Sequence, residues 1–323
     1  MKLVSLLFFV VLAGCFTVSG PSDLYGQERK PQKVKRVKRP QFSPQDWDGI
    51  YFENLFAEGL VGDRPDQLAA NNELNKPSEM SNQTGSDMPT TDQDFAWSRF
   101  VSGTTIEDEV KTIQLELAKV ITSPVKFKSD YDKVHHHFSM LSMLFGIIRE
   151  YDSDVRWKKY AGPAQASFER AAANSRVGTI QAFESCKRRK EEIQELVRGG
   201  NFVGEDKAPD LLDWGTVVDR TPIMERLQIS YDQMKKATSN ESDFKDNIEI
   251  ILHESELVAA MSETLLRENF VDADDEGYAE FAKAMSFAAV NLTKSCKTKN
   301  YDMAASAVNQ IGQSCSNCHS EWR

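Results

Sequence analysis

Cysteine is scarce in this chain, with five residues in 323, which excludes a disulfide-stapled scaffold. Proline (11) and glycine (17) are also few and fall mainly in linkers. No alternating apolar–polar stretch of useful length occurs, so a β-rich fold is excluded as well. An excess of positive charge is missing. The net charge of −10 argues against a nucleic-acid partner, which would demand a basic surface. Beyond the first residues no apolar run approaches transmembrane length. What remains is a polar, acidic chain of ordinary apolar content (40%), long enough for about two domains.

The charge is unevenly spread. Residues 1–39 carry eight Lys or Arg against Asp23 and Glu28, a net +6, so the rest of the chain holds about −16 of the −10 total. The start, Met1-Lys2 followed by an apolar run from Leu3 to Ala13, reads as an export signal too short to span a bilayer. It ends in Leu-Ala-Gly-Cys (12–15), which resembles a bacterial lipobox with Cys15 as the lipidated residue. Ordinary cleavage further on, near Gly20, is the alternative. Both outcomes predict a mature protein in the periplasm or cell envelope. The lipobox reading adds a membrane anchor, with the basic arm at 29–39 able to touch anionic headgroups. Residues 16–93 read as a basic and polar linker, with one short helix expected near 46–60, where Trp47, Ile50, Tyr51, Leu55 and Phe56 fall at helical spacing.

From residue 94 the pattern is helical and repeats. An offset of 117 aligns Trp97 with Trp214, Thr104 with Thr221, Ile106 with Ile223, Phe127-Lys128 with Phe244-Lys245 and His136 with His253. It also aligns Ala-Ala-Ala-Asn (171–174) with Ala-Ala-Val-Asn (288–291), and one residue of slip brings Ile-Ile-Arg-Glu (147–150) onto Leu-Leu-Arg-Glu (265–268). A tandem duplication follows, with units at 94–205 and 206–323. Each unit divides into four helical stretches. In the second these are expected near 221–238, 244–269, 275–296 and 301–320, with Thr221 as N-cap and Pro222 as first helical residue. Four antiparallel helices with short loops predict an up-down four-helix bundle, twice over, in an all-α chain.

The chain closes on Cys315-Ser-Asn-Cys318-His319, the c-type haem attachment pattern. Two thiols one turn apart can form thioethers with the two vinyl groups on one haem edge. The adjacent imidazole then serves as proximal iron ligand. A zinc site needs about four ligands, and the remaining Cys and His form no second close pair. A thioredoxin-like dithiol expects a βαβ context that is absent, and a structural disulfide would not call for His319.

The motif on the last helix, followed by Trp322 and Arg323, resembles the cytochrome c′ and cytochrome c-556 family, whose sequences continue C-x-x-C-H-x-x-aromatic-Arg. The resemblance covers the second unit and is specific in the last ten residues. It implies one covalent haem c per chain, with Cys315, Cys318, His319 and Arg323 at the cofactor. Six-coordinate members use a methionine on the first helix, often four residues after an arginine. Arg220 and Met224 match that spacing, whereas the first unit has Gly103 and Glu107 there. Met234 is a second candidate, replaced by Leu117 in the other unit and so more suited to a core. A five-coordinate iron that binds a small gas such as nitric oxide is the alternative.

His253 reads as structural, because its counterpart His136 sits in a unit without the motif. The histidine triplet 135–137 reads as partly exposed helix surface, and Cys186 and Cys296 as buried thiols or a pair. The resulting expectation is an exported, non-enzymatic electron carrier with a redox partner protein in the cell envelope. A non-catalytic scaffold is the third reading.

Overall fold

The computed structural model describes residues 95–204 and 207–322, all within the compact unit Gly85–Arg323. Cys15, the basic arm 29–39, the helix expected near 46–60 and Arg323 lie outside the described residues. These residues form an all-α structure, with no strand among them. In chain order the helices are α1 (Gly103–Val120), α2 (Pro124–Glu150), α3 (Ala161–Asn174), α4 (Ile180–Val197) and the single turn α5 (Trp214–Val217). There follow α6 (Arg220–Ala237), α7 (Glu241–Asp246), α8 (Ile248–Thr264), α9 (Glu276–Thr298) and α10 (Tyr301–Glu321). Among the described residues no helix is long and apolar enough to cross a membrane.

Short polar residues start most of these helices by accepting from the first-turn N–H groups, as at Ser102, Ser123, Thr179, Asn240, Asp275 and Asn300. Two boundaries differ from the sequence expectation. The cap of α6 is Asp219 rather than Thr221, and Pro222 is the third helical residue. Proline is tolerated there because first-turn N–H groups have no intrahelical acceptor. The helix expected over 244–269 is broken at Asn247 and ends at Thr264. Asn247 has φ −119° and ψ 19°, and its side-chain amide donates to the Asp243 carbonyl at 2.7 Å. That local bond competes with the helical ladder and separates α7 from α8.

Packing joins neighbours in sequence. α2 runs along α3, α1 rests on α2 and α4, and α3 on α4. Further on, α8 lies between α6 and α9, and α10 covers both α9 and α6. On α6 the stripe Ile223, Leu227, Ser230, Met234 and Ala237 turns inward at helical spacing, and on α10 Ala304, Ala307, Val308, Ile311 and Ser314 do the same.

The two helical sets meet where α1 touches α8 and α2 touches α6. Two further contacts join positions 117 apart. The indoles of Trp97 and Trp214 both donate to Glu150 Oε2, at 3.4 and 3.3 Å, with ring centroids 5.7 Å apart. The guanidinium of Arg226 is buried between Glu109 (2.8 Å) and Glu254 (2.7 Å), and also reaches Ser230 Oγ at 2.7 Å. His253 Nε2 lies 3.3 Å from Glu109.

Burial alone would raise the Glu109 carboxyl, but the hydrogen bonds from His253 and Arg226 outweigh it and hold it at about 2. A folded value depressed below the ordinary 4.5 contributes stability that is complete above about pH 4.5 and is lost as pH falls toward 2. Urea unfolding across that window should therefore show a declining midpoint. Glu109→Gln should be less stable at neutral pH and decline less steeply on acidification. Equal slopes for the two proteins would show that this carboxylate is not linked to folding.

Candidate functional site

The stripe that buries α10 carries the motif into place. After Ile311 and Ser314, the same face presents Cys315 and Cys318, three residues apart and both half-buried. They open on a cavity of about 240 Å³ shared with His319. α6 contributes Met224, Leu227 and Tyr231 to the wall, Leu265 follows α8, and α9 contributes Tyr278, Phe281 and Met285. Gly312 lets α10 approach α6 closely, since a Cβ at that position would collide with the Tyr231 ring and hydroxyl. Cys315 Sγ lies 3.9 Å from Met285 Sδ. Burial pushes both motif thiols above their ordinary pKa, Cys315 further affected by Cys318, and Cys318 partly relieved by Arg220. Thiols so placed stay protonated at neutral pH.

Met224 thus lines the same cavity as Cys315, Cys318 and His319, while Met234 is buried in the core. Arg220, one turn before Met224, stands beside the cavity. Its guanidinium lies 5.0 Å over the Tyr278 ring and donates to the Val271 carbonyl (2.6 Å) and Asp272 (2.8 Å). His319 is the most exposed of the set.

Other candidates sit elsewhere. His253 belongs to the Glu109–Arg226 cluster, and His136 Nδ1 lies 2.9 Å from Glu225. His135 meets the Ala172 carbonyl and Asp219, at 2.8 and 3.5 Å. His137 is pushed down to about 4 by burial and by His136. The triplet is half-buried on α2, in keeping with a partly exposed helix surface. Among the described residues no group of three or more His, Cys, Asp or Glu could hold a metal ion by itself. Cys186 and Cys296 are separate free thiols, not a pair, each buried and pushed up, to about 12 and about 11.

The positions 117 residues earlier carry a different chemistry. Phe168 and Phe202 stand where Met285 and His319 stand later, and their rings meet at 6.0 Å in a T-shaped contact. Phe168 also packs on Phe145 at 5.2 Å. Glu107, at the position of Met224, bonds Arg156 at 3.2 Å. Those earlier positions thus carry aromatic packing and an ion pair rather than sulfur and imidazole.

Chemically, the later set offers two sulfurs on one helical face, an imidazole on the next residue, a thioether on the facing helix and apolar walls. That combination suits a porphyrin attached through thioethers with an iron ligand beside it. Tyr278 and Met285 carry no sequence signal of a site, because an aromatic and a methionine at helical spacing read as core. Comparison of the chain with family models, curated proteins and solved structures finds no match.

Proposed function

We propose that this chain is an exported monohaem c-type cytochrome, similar to the cytochrome c′ and cytochrome c-556 family, that carries single electrons and performs no substrate chemistry. The observation that carries the reading is the convergence of Cys315, Cys318, His319 and Met224 on one apolar cavity. Haem c bound there would supply one-electron redox chemistry. Cys315 and Cys318 would hold it by thioether bonds, His319 would ligate it, Met224 on α6 would offer a second ligand, and Leu227, Leu265 and Phe281 would line its apolar surroundings. The methionine on the wall formed by α6 favours electron exchange with a redox partner protein over gas capture at an open iron position.

In the same reading each helical set is an up-down four-helix bundle and the two are copies, with only the later one loaded. The reciprocal contacts of α1 with α8 and α2 with α6, together with the meetings of 97 with 214 and 109 with 226, support copies related by an approximate two-fold. The lipobox-like stretch ending at Cys15 and the basic arm 29–39 support a location on the envelope side of a membrane.

The test is expression of the full chain in a periplasm with c-type maturation, followed by absorption spectroscopy. Covalent haem with sharp low-spin bands in the reduced protein is expected, and Met224→Ala should convert them to broad high-spin features. High-spin bands in the parent protein would instead favour five-coordinate gas binding, and absence of covalent haem would end the proposal.

A further inference from the structure

Asp219 stands at the N-cap of α6 and is a favoured capping residue, yet its side chain makes no hydrogen bond to the helix it starts. Ser102, 117 residues earlier, caps α1 in the usual way by accepting from the Thr105 N–H at 3.2 Å. The Asp219 carboxylate is engaged elsewhere. It accepts from the Arg176 guanidinium at 2.5 Å and lies 3.5 Å from Nε2 of His135 on α2. The positions 117 residues after His135 and Arg176 hold Leu252 and Thr293, so this arrangement is made once in the chain.

The surroundings of His135 select its charge. Nδ1 lies 2.8 Å from the Ala172 carbonyl on α3, and Nε2 faces the carboxylate, so both ring nitrogens meet acceptors. A neutral imidazole has a single N–H and turns a lone pair on one of them, whereas the imidazolium satisfies both. The Asp219 carboxylate lifts His135 above its ordinary 6.5, against burial and the nearby Arg176 charge. In return His135, with Arg176, holds Asp219 below its usual range. The next histidine on α2, His136, faces Glu225 and is kept low by burial.

We propose that His135 and Asp219 form a proton-operated latch at the start of α6. With His135 charged, the carboxylate ties the cap of α6 to α2 and α3. When His135 loses its proton, the carboxylate is free to turn back to its own helix. Of the two amides within a cap's reach only Thr221 has an N–H, since Pro222 has none. A folded value above 6.5 contributes stability that is complete below 6.5 and is lost as pH rises through it, so the latch loosens on the alkaline side. α6 carries Met224, Leu227 and Tyr231 in the cavity wall, and the earlier helical set thereby governs how firmly that wall is held. The latch belongs to the protein without a cofactor and does not rest on the haem reading.

The test uses the full chain without haem, from about pH 5.5 to about pH 8.5, where histidine titrates. Nuclear magnetic resonance follows the His135 ring, and hydrogen exchange, corrected for intrinsic rates, follows the Ile223, Met224 and Glu225 amides. His135 should titrate above 6.5, and protection of these amides should fall several-fold through the same midpoint. His135→Gln should show the lower protection at every pH. Asp219→Asn should bring the His135 midpoint down to 6.5 or below and remove most of the step in protection. Arg176→Gln should raise the midpoint and keep the step, since it removes a charge that opposes the proton. If His135→Gln does not fold, Asp219→Asn decides the question. A parent His135 midpoint at or below 6.5, or a step undiminished in Asp219→Asn, overturns the latch.

Discussion

Arg226→Met should lower the unfolding free energy by about 3–5 kcal/mol, seen as a large drop in the urea midpoint at neutral pH. The guanidinium bonds both Glu109 and Glu254, and all three side chains are nearly inaccessible to solvent. Methionine keeps much of the volume but leaves two carboxylates facing each other in a low dielectric, with His253 touching only Glu109. The acid response should invert as well. Without Arg226 the Glu109 carboxyl loses one of the contacts that hold it at about 2, so mild acidification should stabilise the variant where it weakens the parent protein. Adding Glu109→Gln and Glu254→Gln to Arg226→Met should recover most of the loss, because the cost lies in uncompensated charge rather than in missing attraction. If Arg226→Met unfolds at the parent midpoint, the cluster is not the buried junction described.

Replacing both Cys315 and Cys318 with alanine should abolish covalent haem while leaving the helical fold largely intact. Neither side chain is fully buried, and both lie on the last turns of α10, after its buried stripe has closed on α9 and α6. Truncating two half-buried thiols at a cavity wall removes little packing, so the urea midpoint should move by no more than about 1–2 kcal/mol. Haem bands should vanish from protein denatured in acid and separated by gel, where only a thioether-bound group survives. A single replacement should leave one thioether and a shifted spectrum. Haem that remains attached in the double variant would place the linkage elsewhere and sink the assignment.

Much of this arrangement was readable from the chain. Helical periodicity and short polar capping residues locate most helices to within a few residues, because a buried stripe and an N-cap are local properties of sequence. The failures are local too. Asn247 interrupts a helix where its side-chain amide donates to the Asp243 carbonyl beside its own backbone N–H, a local arrangement that periodicity does not register. The Cys315–Cys318–His319 spacing states its chemistry openly. Tyr278 does not, because what marks it is burial at the cavity wall between Arg220 and Trp322, more than forty residues away on either side. The offset of 117 is visible in the sequence. That Trp97 and Trp214 share one carboxylate, and that Glu109 grips Arg226, depends on how the two sets face each other.

Under the duplication reading, that last contact bears on why the two halves of the chain differ. In a pair of identical subunits, a residue on the rotation axis confronts its own copy, so a glutamate there meets a glutamate and an arginine meets an arginine. Positions 109 and 226 are counterparts, yet they carry opposite signs and bind each other. Two halves of one chain can be written that way, since each is then free to change alone. Under the duplication reading, either half released by itself would meet its twin with like charges buried at the centre, and the joined chain thereby excludes self-association in favour of its own other half.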